Sequence, residues 1–279
     1  MSFRAAVLAL LVPVLLLGAG GAVAQATQRT LSAHEGAVTA TLSYQEGVSH
    51  AGGQGLSSMH LAISNAGTPF YEAPVASPHC LGTCGLESFG GGPLQVKDLE
   101  GNGGADPVLE LNTGGAHCCT IVQVFSFDPG VMAYRIVERD FGDPGAVLED
   151  LGGQLDFESA DDRFAYEFAS YAGSALPLQI WRFQEGRFVD VTRSFPALIA
   201  ADAARWLKVF TANRRGGHGL GPIAAWAADE DLRGHEHLVV RTLAREARLH
   251  RLRNAEHVGP SGPAFIQALL RFLKKTGYG

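Results

Sequence analysis

The stretch Asp98-Leu99-Glu100-Gly101-Asn102-Gly103-Gly104-Ala105-Asp106 puts oxygen-bearing side chains at its first, third, fifth and ninth positions and a glycine at its sixth. Alternate positions of an extended turn converge on one point, and a glycine at the sixth allows the chain to bend sharply between ligands. Calcium is a hard cation that takes about six to eight oxygens from carboxylates, amides and backbone carbonyls. The expected shell is the side chains of Asp98, Glu100, Asn102 and Asp106 with the backbone carbonyl of Gly104. The flanks "PLQVK" and "PVLEL" both read as strands, which excludes a helix–loop–helix calcium hand. Without a cation the same residues make a polar turn, since Asn-Gly and Gly-Gly favour turns unaided.

Cys80, Cys84, Cys118 and Cys119 form two close pairs, with His79 and His117 beside them. Thiolates and imidazoles could hold zinc, but the spacing matches no common zinc ribbon, and an exported protein favours disulfides. The expectation is two bridges linking the 80/84 pair to the 118/119 pair. The alternative is a local Cys80–Cys84 bridge with a Cys118–Cys119 ring. His117, next to a Gly-Gly turn, could form an acid/base pair with Asp98 or Asp106, which would make a hydrolase conceivable. No nucleophile or oxyanion donor can be assigned beside it, and a structural histidine is the simpler reading. Arg241, Arg245 and Arg248 recur at helical spacing, as a solvated face or a patch for an anion or partner.

These residues must be positioned by the elements around them. Arg4 precedes the run "AAVLALLVPVLLLGAGGAVA" and a small-residue processing site, the layout of a secretory signal over residues 1–26. A secreted or periplasmic protein is expected, with no membrane span after cleavage. Residues 27–193 read as strands punctuated by glycine and proline. Within them "VQVFSFDPG" aligns with "LQIWRFQEG" 56 residues later, so 94–137 and 155–192 look like two blade-like antiparallel units. The second copy of the polar loop is placed at "ESADDR", with Asp161 and Arg163 a plain or salt-bridged turn. Glu185-Gly186 reads as a hairpin turn. From Ser194, a plausible N-cap, the apolar spacing becomes helical and four helices are expected over residues 194–279. The fold class is therefore α+β: a sandwich or open propeller-like stack of strands with a C-terminal helical bundle packed on it.

Charge divides the chain in the same way. Residues 1–195 hold 9 Lys/Arg against 21 Asp/Glu, and residues 196–279 hold 13 against 7. The basic tail is expected to pack on its acidic neighbour rather than to bind nucleic acid.

"VKDLEGNGGADPVLEL" resembles the FG-GAP repeat, the calcium-loop blade of integrin-type propellers, whose usual pattern is D-x-D-x-D-G-x-x-D between strands. Similar VCBS-like blades occur in exported bacterial proteins, where the loop is followed by segments like "NTGGAHCC", "DDRFAYEFASYA" and "GRFVDVTRSFP". The resemblance implies a calcium shell of Asp98, Glu100, Asn102, Gly104 and Asp106. Glu100 and Asn102 depart from the pattern, one longer and one uncharged. It brings no activity with it. The reading favoured is a non-enzymatic binding module with one calcium-stabilised loop and an extracellular or envelope protein or polymer as partner; the rival is a hydrolase using His117.

Overall fold

The computed structural model describes residues 26–48, 54–80, 82–88, 90–115 and 118–279. The expected signal segment falls almost wholly outside them, and so does His117. Four strands, β1 (Thr27–Glu35), β2 (Val38–Val48), β3 (Gln54–Asn65) and β4 (Thr68–Pro74), pair antiparallel in chain order as a first sheet. In the second sheet β5 (Gly85–Leu86) and β6 (Leu94–Lys97) both pair with β7 (Asp106–Gly115), followed by β8 (Cys118–Asp128) and β9 (Ala133–Asp140). The third sheet is again a meander, β10 (Val147–Asp150), β11 (Leu155–Ala160), β12 (Leu178–Gln184) and β13 (Arg187–Asp190).

Side-chain alternation along the strands explains how the sheets stack. Leu109, Leu111, Ile121 and Phe125 of the second sheet join Leu42, Leu61 and Ile63 of the first in one core. Val108, Val122 and Val124 face the other way and join Phe157 and Phe183 of the third. The second sheet is thus covered on both faces, and β7 reads "DPVLEL" with all six residues buried. In β12 the alternation continues: Phe183 faces the second sheet, while Leu178 and Ile180 pack with Ile199 of the first helix.

The expected duplication holds at the level of strands. "VQVFSFDPG" supplies β8 and its hairpin, "LQIWRFQEG" supplies β12 and its hairpin, and each lies third in a run of four antiparallel strands. Glu185 and Gly186 both adopt positive φ, 51° and 68°, the mirror-image turn that matches strand twist. The placement of the second polar loop is corrected. Glu158 to Ala160 belong to β11, and the counterpart of the Asp98 turn is the β10–β11 turn from Asp150. The misreading arose because the second sheet has the long turn and the third has the long connection, residues 161–177, one strand later.

Four helices follow, α1 (Pro196–Asn213), α2 (Leu220–Leu232), α3 (Glu236–Arg248) and α4 (Gly262–Thr276). Ser194 does not cap α1; the N-cap is Phe195, and Pro196 opens the helix, where its missing N–H costs nothing. Helix α2 has buried residues on every side, as expected of a helix enclosed by its neighbours. Gly221 lies so close to the Gly173 carbonyl that a side chain there has no room. Phe164 and Phe168, from the β11–β12 connection, complete the helical core with Phe210, Trp226, Phe265 and Leu269.

Candidate functional site

In the predicted calcium loop, the Asp98 carboxylate accepts the backbone N–H groups of Asn102 at 3.1 Å and Gly103 at 2.8 Å. Asn102 accepts the Gly104 N–H at 2.8 Å and donates its amide to Glu100 at 3.2 Å. Gly103 takes φ 85°, the bend anticipated for the sixth position. Leu99 points inward and is fully buried, anchoring the turn to the core. Asp106 is buried, and desolvation, then the charge of Glu100, then that of Asp98 push its carboxyl up to about 7. Ser126 and the Leu99 backbone oppose that rise.

The loop's carboxylates are therefore near enough to repel one another, yet they do not converge. Among the described residues no three His, Cys, Asp or Glu side chains are placed to hold a metal ion. Two further turns lie alongside. Asp150 accepts the Gly153 N–H at 2.5 Å, and Gln154 donates to the Leu99 carbonyl at 2.6 Å. Glu100 accepts from Gly186 in the β12–β13 turn at 3.4 Å.

The cysteines differ from the favoured expectation. Cys80 bonds to Cys84 within one short turn, with 5.4 Å between their Cα atoms. Cys119 is also disulfide-bonded, and no described cysteine is free. Bridges from the 80/84 pair to the 118/119 pair are thereby excluded. The reason is local: tight backbone turns over Ser77–Gly82 bring Cys80 round to Cys84, and β5 begins at the next residue. Cys80 and Cys84 are consequently not thiolates for zinc.

His117 and the side chain of Cys118 lie outside the described residues. Among the described histidines, His79 lies between two carboxylates, 3.6 Å from Glu138 and 3.7 Å from Asp140, while His218 and His235 each meet one, Glu256 and Glu230. Arg241, Arg245 and Arg248 share the outward face of α3, where they line one shallow depression with Leu238 and Val240.

Among the described residues lies a cleft that the sequence did not point to. A cleft of about 530 Å³ opens between the end of β9, strands β11 to β13 and the end of α4. On its wall the Arg139 guanidinium lies 3.1 Å from the centroid of the Trp181 ring, a stacked cation–π contact. Trp181 in turn donates its indole N–H to Gln179 at 3.1 Å.

Burial lowers the Arg139 pKa, opposed by the charge of Asp190, and its buried Nε has no hydrogen-bond partner. Asp162, also on the cleft wall, has an unpartnered buried Oδ1, and burial raises its pKa. Its carboxyl packs over Gly142, at φ 68°, where a Cβ would collide with it. Asp161 is fully engaged: Arg163 donates to both its oxygens, at 2.8 Å and 2.5 Å, and Tyr278 donates its hydroxyl at 2.8 Å. The expected salt-bridged turn at Asp161 and Arg163 is thus present, and it forms the floor of the cleft.

Comparison with known proteins finds a partial likeness and little chemistry. No family model matches the chain, and no solved structure matches it. A protein of Synechocystis sp. whose name is "Probable thylakoid lumen protein" is 33% identical over 144 residues. The chain is similar to it over 43% of its own length and spans 42% of that relative. No described helix is long and apolar enough to cross a membrane.

The cleft itself could have been suspected only from composition. Arg139, Asp161, Asp162, Trp181 and Asp190 are scattered over 52 residues on four segments, and no spacing rule connects them.

Proposed function

We propose that this chain is an exported, non-enzymatic binding module whose ligand enters the Arg139–Trp181 cleft. One observation carries the reading: two buried, unpartnered polar atoms of opposite character, Arg139 Nε and Asp162 Oδ1, belong to residues lining the same cleft. A buried polar group without a partner is costly, and such groups in native structures call for a water, an ion or a ligand. A ligand that offers an acceptor to Arg139 and a donor to Asp162, as a short peptide or an amino acid does, would satisfy both. The lumen protein's name and the oxidised Cys80–Cys84 bridge support an oxidising, exported setting. Calcium closing the Asp98–Asp106 turn is the second part of the proposal, supported by the charges of Glu100 and Asp98, whose repulsion adds to burial in raising Asp106 to about 7. A divalent cation would relieve that repulsion.

The cleft is tested by titrating glycylglycine to roughly 10 mM, a concentration that reveals weak sites, while following the tryptophan indole N–H resonances by NMR. Trp181 lines the cleft, whereas Trp206 and Trp226 do not. The Trp181 resonance should move, and Arg139→Gln should abolish the shift. A titration that leaves Trp181 still, or moves all indoles alike, removes the cleft from consideration.

A further inference from the structure

The helical layer sorts its charges by depth. Of the 13 Lys and Arg in residues 196–279, 10 are exposed and none is buried. Of the 7 Asp and Glu, 5 are buried and only Glu236 is exposed. Three of the buried acids are paired with arginine: Asp202, Glu230 and Glu246. Glu246, for example, has no exposed surface and receives Arg214 at 3.1 Å, Arg245 at 3.0 Å and Arg251 at 3.4 Å. The outer surface of this layer is therefore far more cationic than its sequence balance indicates, although the whole chain carries −6.

Apolar side chains share that surface. Leu238 is 38% exposed, Val240 46% and Leu249 49%, all on or just after α3. At about 100° per residue, Arg241, Arg245 and Arg248 form the centre of the outward face, and Leu238 with Leu249 on one side and Val240 on the other form its shoulders. The Arg248 side chain makes no hydrogen bond or ion pair with any described residue, and the Arg241 side chain donates only to the His237 carbonyl of its own helix. Arg245 is also bonded to Glu246, but its side chain stays 60% exposed.

We infer that the α3 face docks on an anionic membrane surface, with Arg241, Arg245 and Arg248 on lipid headgroups and Leu238 and Val240 entering the acyl boundary. This surface is separate from the cleft. Charge complementarity points to an anionic partner, and the exposed leucine and valine select a lipid surface from among such partners. A hydrated polyanion gains nothing from them, whereas an interfacial helix draws its affinity from both charge and buried apolar area. The net-negative strand layers then tend to point away from the bilayer, which orients the molecule.

The test is vesicle sedimentation of the full chain after signal removal, with phosphatidylcholine vesicles against mixtures rich in phosphatidylglycerol. Binding should appear only with the anionic lipid and fall steeply as salt is added. Exchanging Arg241, Arg245 and Arg248 for Gln should weaken it by about tenfold or more. Leu238→Ser with Val240→Ser should also weaken it, with unchanged thermal melting showing that the fold is intact. Equal binding to both lipids, absence of binding to the anionic vesicles, or insensitivity to the arginine changes would overturn the inference. Soluble dextran sulfate bound as tightly as the vesicles, together with unimpaired vesicle binding by the Leu238/Val240 variant, would assign the face to a polyanion instead and equally overturn it.

Discussion

Asp229 shows most sharply what burial does to a single residue. It sits on α2 with no exposed surface, and its only hydrogen-bond neighbour among the described residues is another carboxyl, that of Asp202. Burial first, and the charge of Asp202 second, raise its pKa to about 9, with Arg205 opposing. Asp202 itself accepts the Leu178 N–H and the Trp206 indole N–H, each at 3.0 Å, and is paired with Arg205. Asp229 is thus neutral at pH 7.

Between the unfolded value of 3.8 and about 9 the folded protein holds a proton at Asp229 that the unfolded chain has released. Stability conferred by this proton is complete at low pH and declines as pH rises through that window. Asp229→Asn keeps the neutral shape without the proton. Melting temperature followed from pH 5 to pH 9 should therefore slope less steeply in the variant, which should be the more stable protein near pH 8. Parallel profiles would show that Asp229 is already ionised in the fold. Sequence could not supply this residue: "AADEDL" reads as three solvated acids until tertiary packing encloses the helix.

At the scale of elements, two turns use the same device with different residues. Asp98 receives two backbone N–H groups in the β6–β7 turn, and Asp150 receives one in the β10–β11 turn. Replacing either by Ala should cost about 1–2 kcal/mol in urea unfolding, the usual loss when such a capping acceptor is removed. Calcium separates the two. Millimolar calcium should raise the melting temperature of the parent protein, since a ligand for the folded state stabilises it by mass action. It should do so undiminished in Asp150→Ala and not at all in Asp98→Ala or Asp106→Ala. Superimposed melting curves in calcium and in chelator would leave the Asp98 turn as a turn alone. The strands, the Glu185-Gly186 hairpin and the four helices were legible because each follows from local periodicity and turn chemistry. The second polar loop was misplaced because sequence similarity between the two units fixes their third strands but leaves the lengths of their connections free.

For the whole molecule, the relevant question is whether the strand layers and the helices fold together. Phe164 and Phe168 leave the third sheet to enter the helical core, and Ile199 of α1 returns to pack on Leu178 and Ile180. Polar ties run the same way. Tyr278 near the last residue bonds Asp161, and Arg193 donates to the Leu232 and Gly277 carbonyls at 3.1 Å and 3.2 Å. Residues 27–193 made alone would expose Phe164, Phe168 and Ile180 to water, at about 25 cal/mol for each Å² of apolar surface. That fragment should be insoluble or molten, without the near-ultraviolet dichroism of fixed aromatic packing. A fragment that melts cooperatively at the temperature of the intact protein would make the helices an independent unit.

By itself the sequence determined the order and kind of elements, the acidic and basic halves, and the sharp glycine bend after Asn102, because these depend on neighbours a few residues apart. Tertiary structure decided the rest: it set β5, which starts directly after the local Cys80–Cys84 turn, against β7. It also decided that Arg139 lies on Trp181, 42 residues away, and that the acids of the helical layer turn inward while its cations face out. Those outcomes depend on which surfaces of distant segments meet, and a long-range meeting is set by the packing of whole layers, which no short spacing encodes.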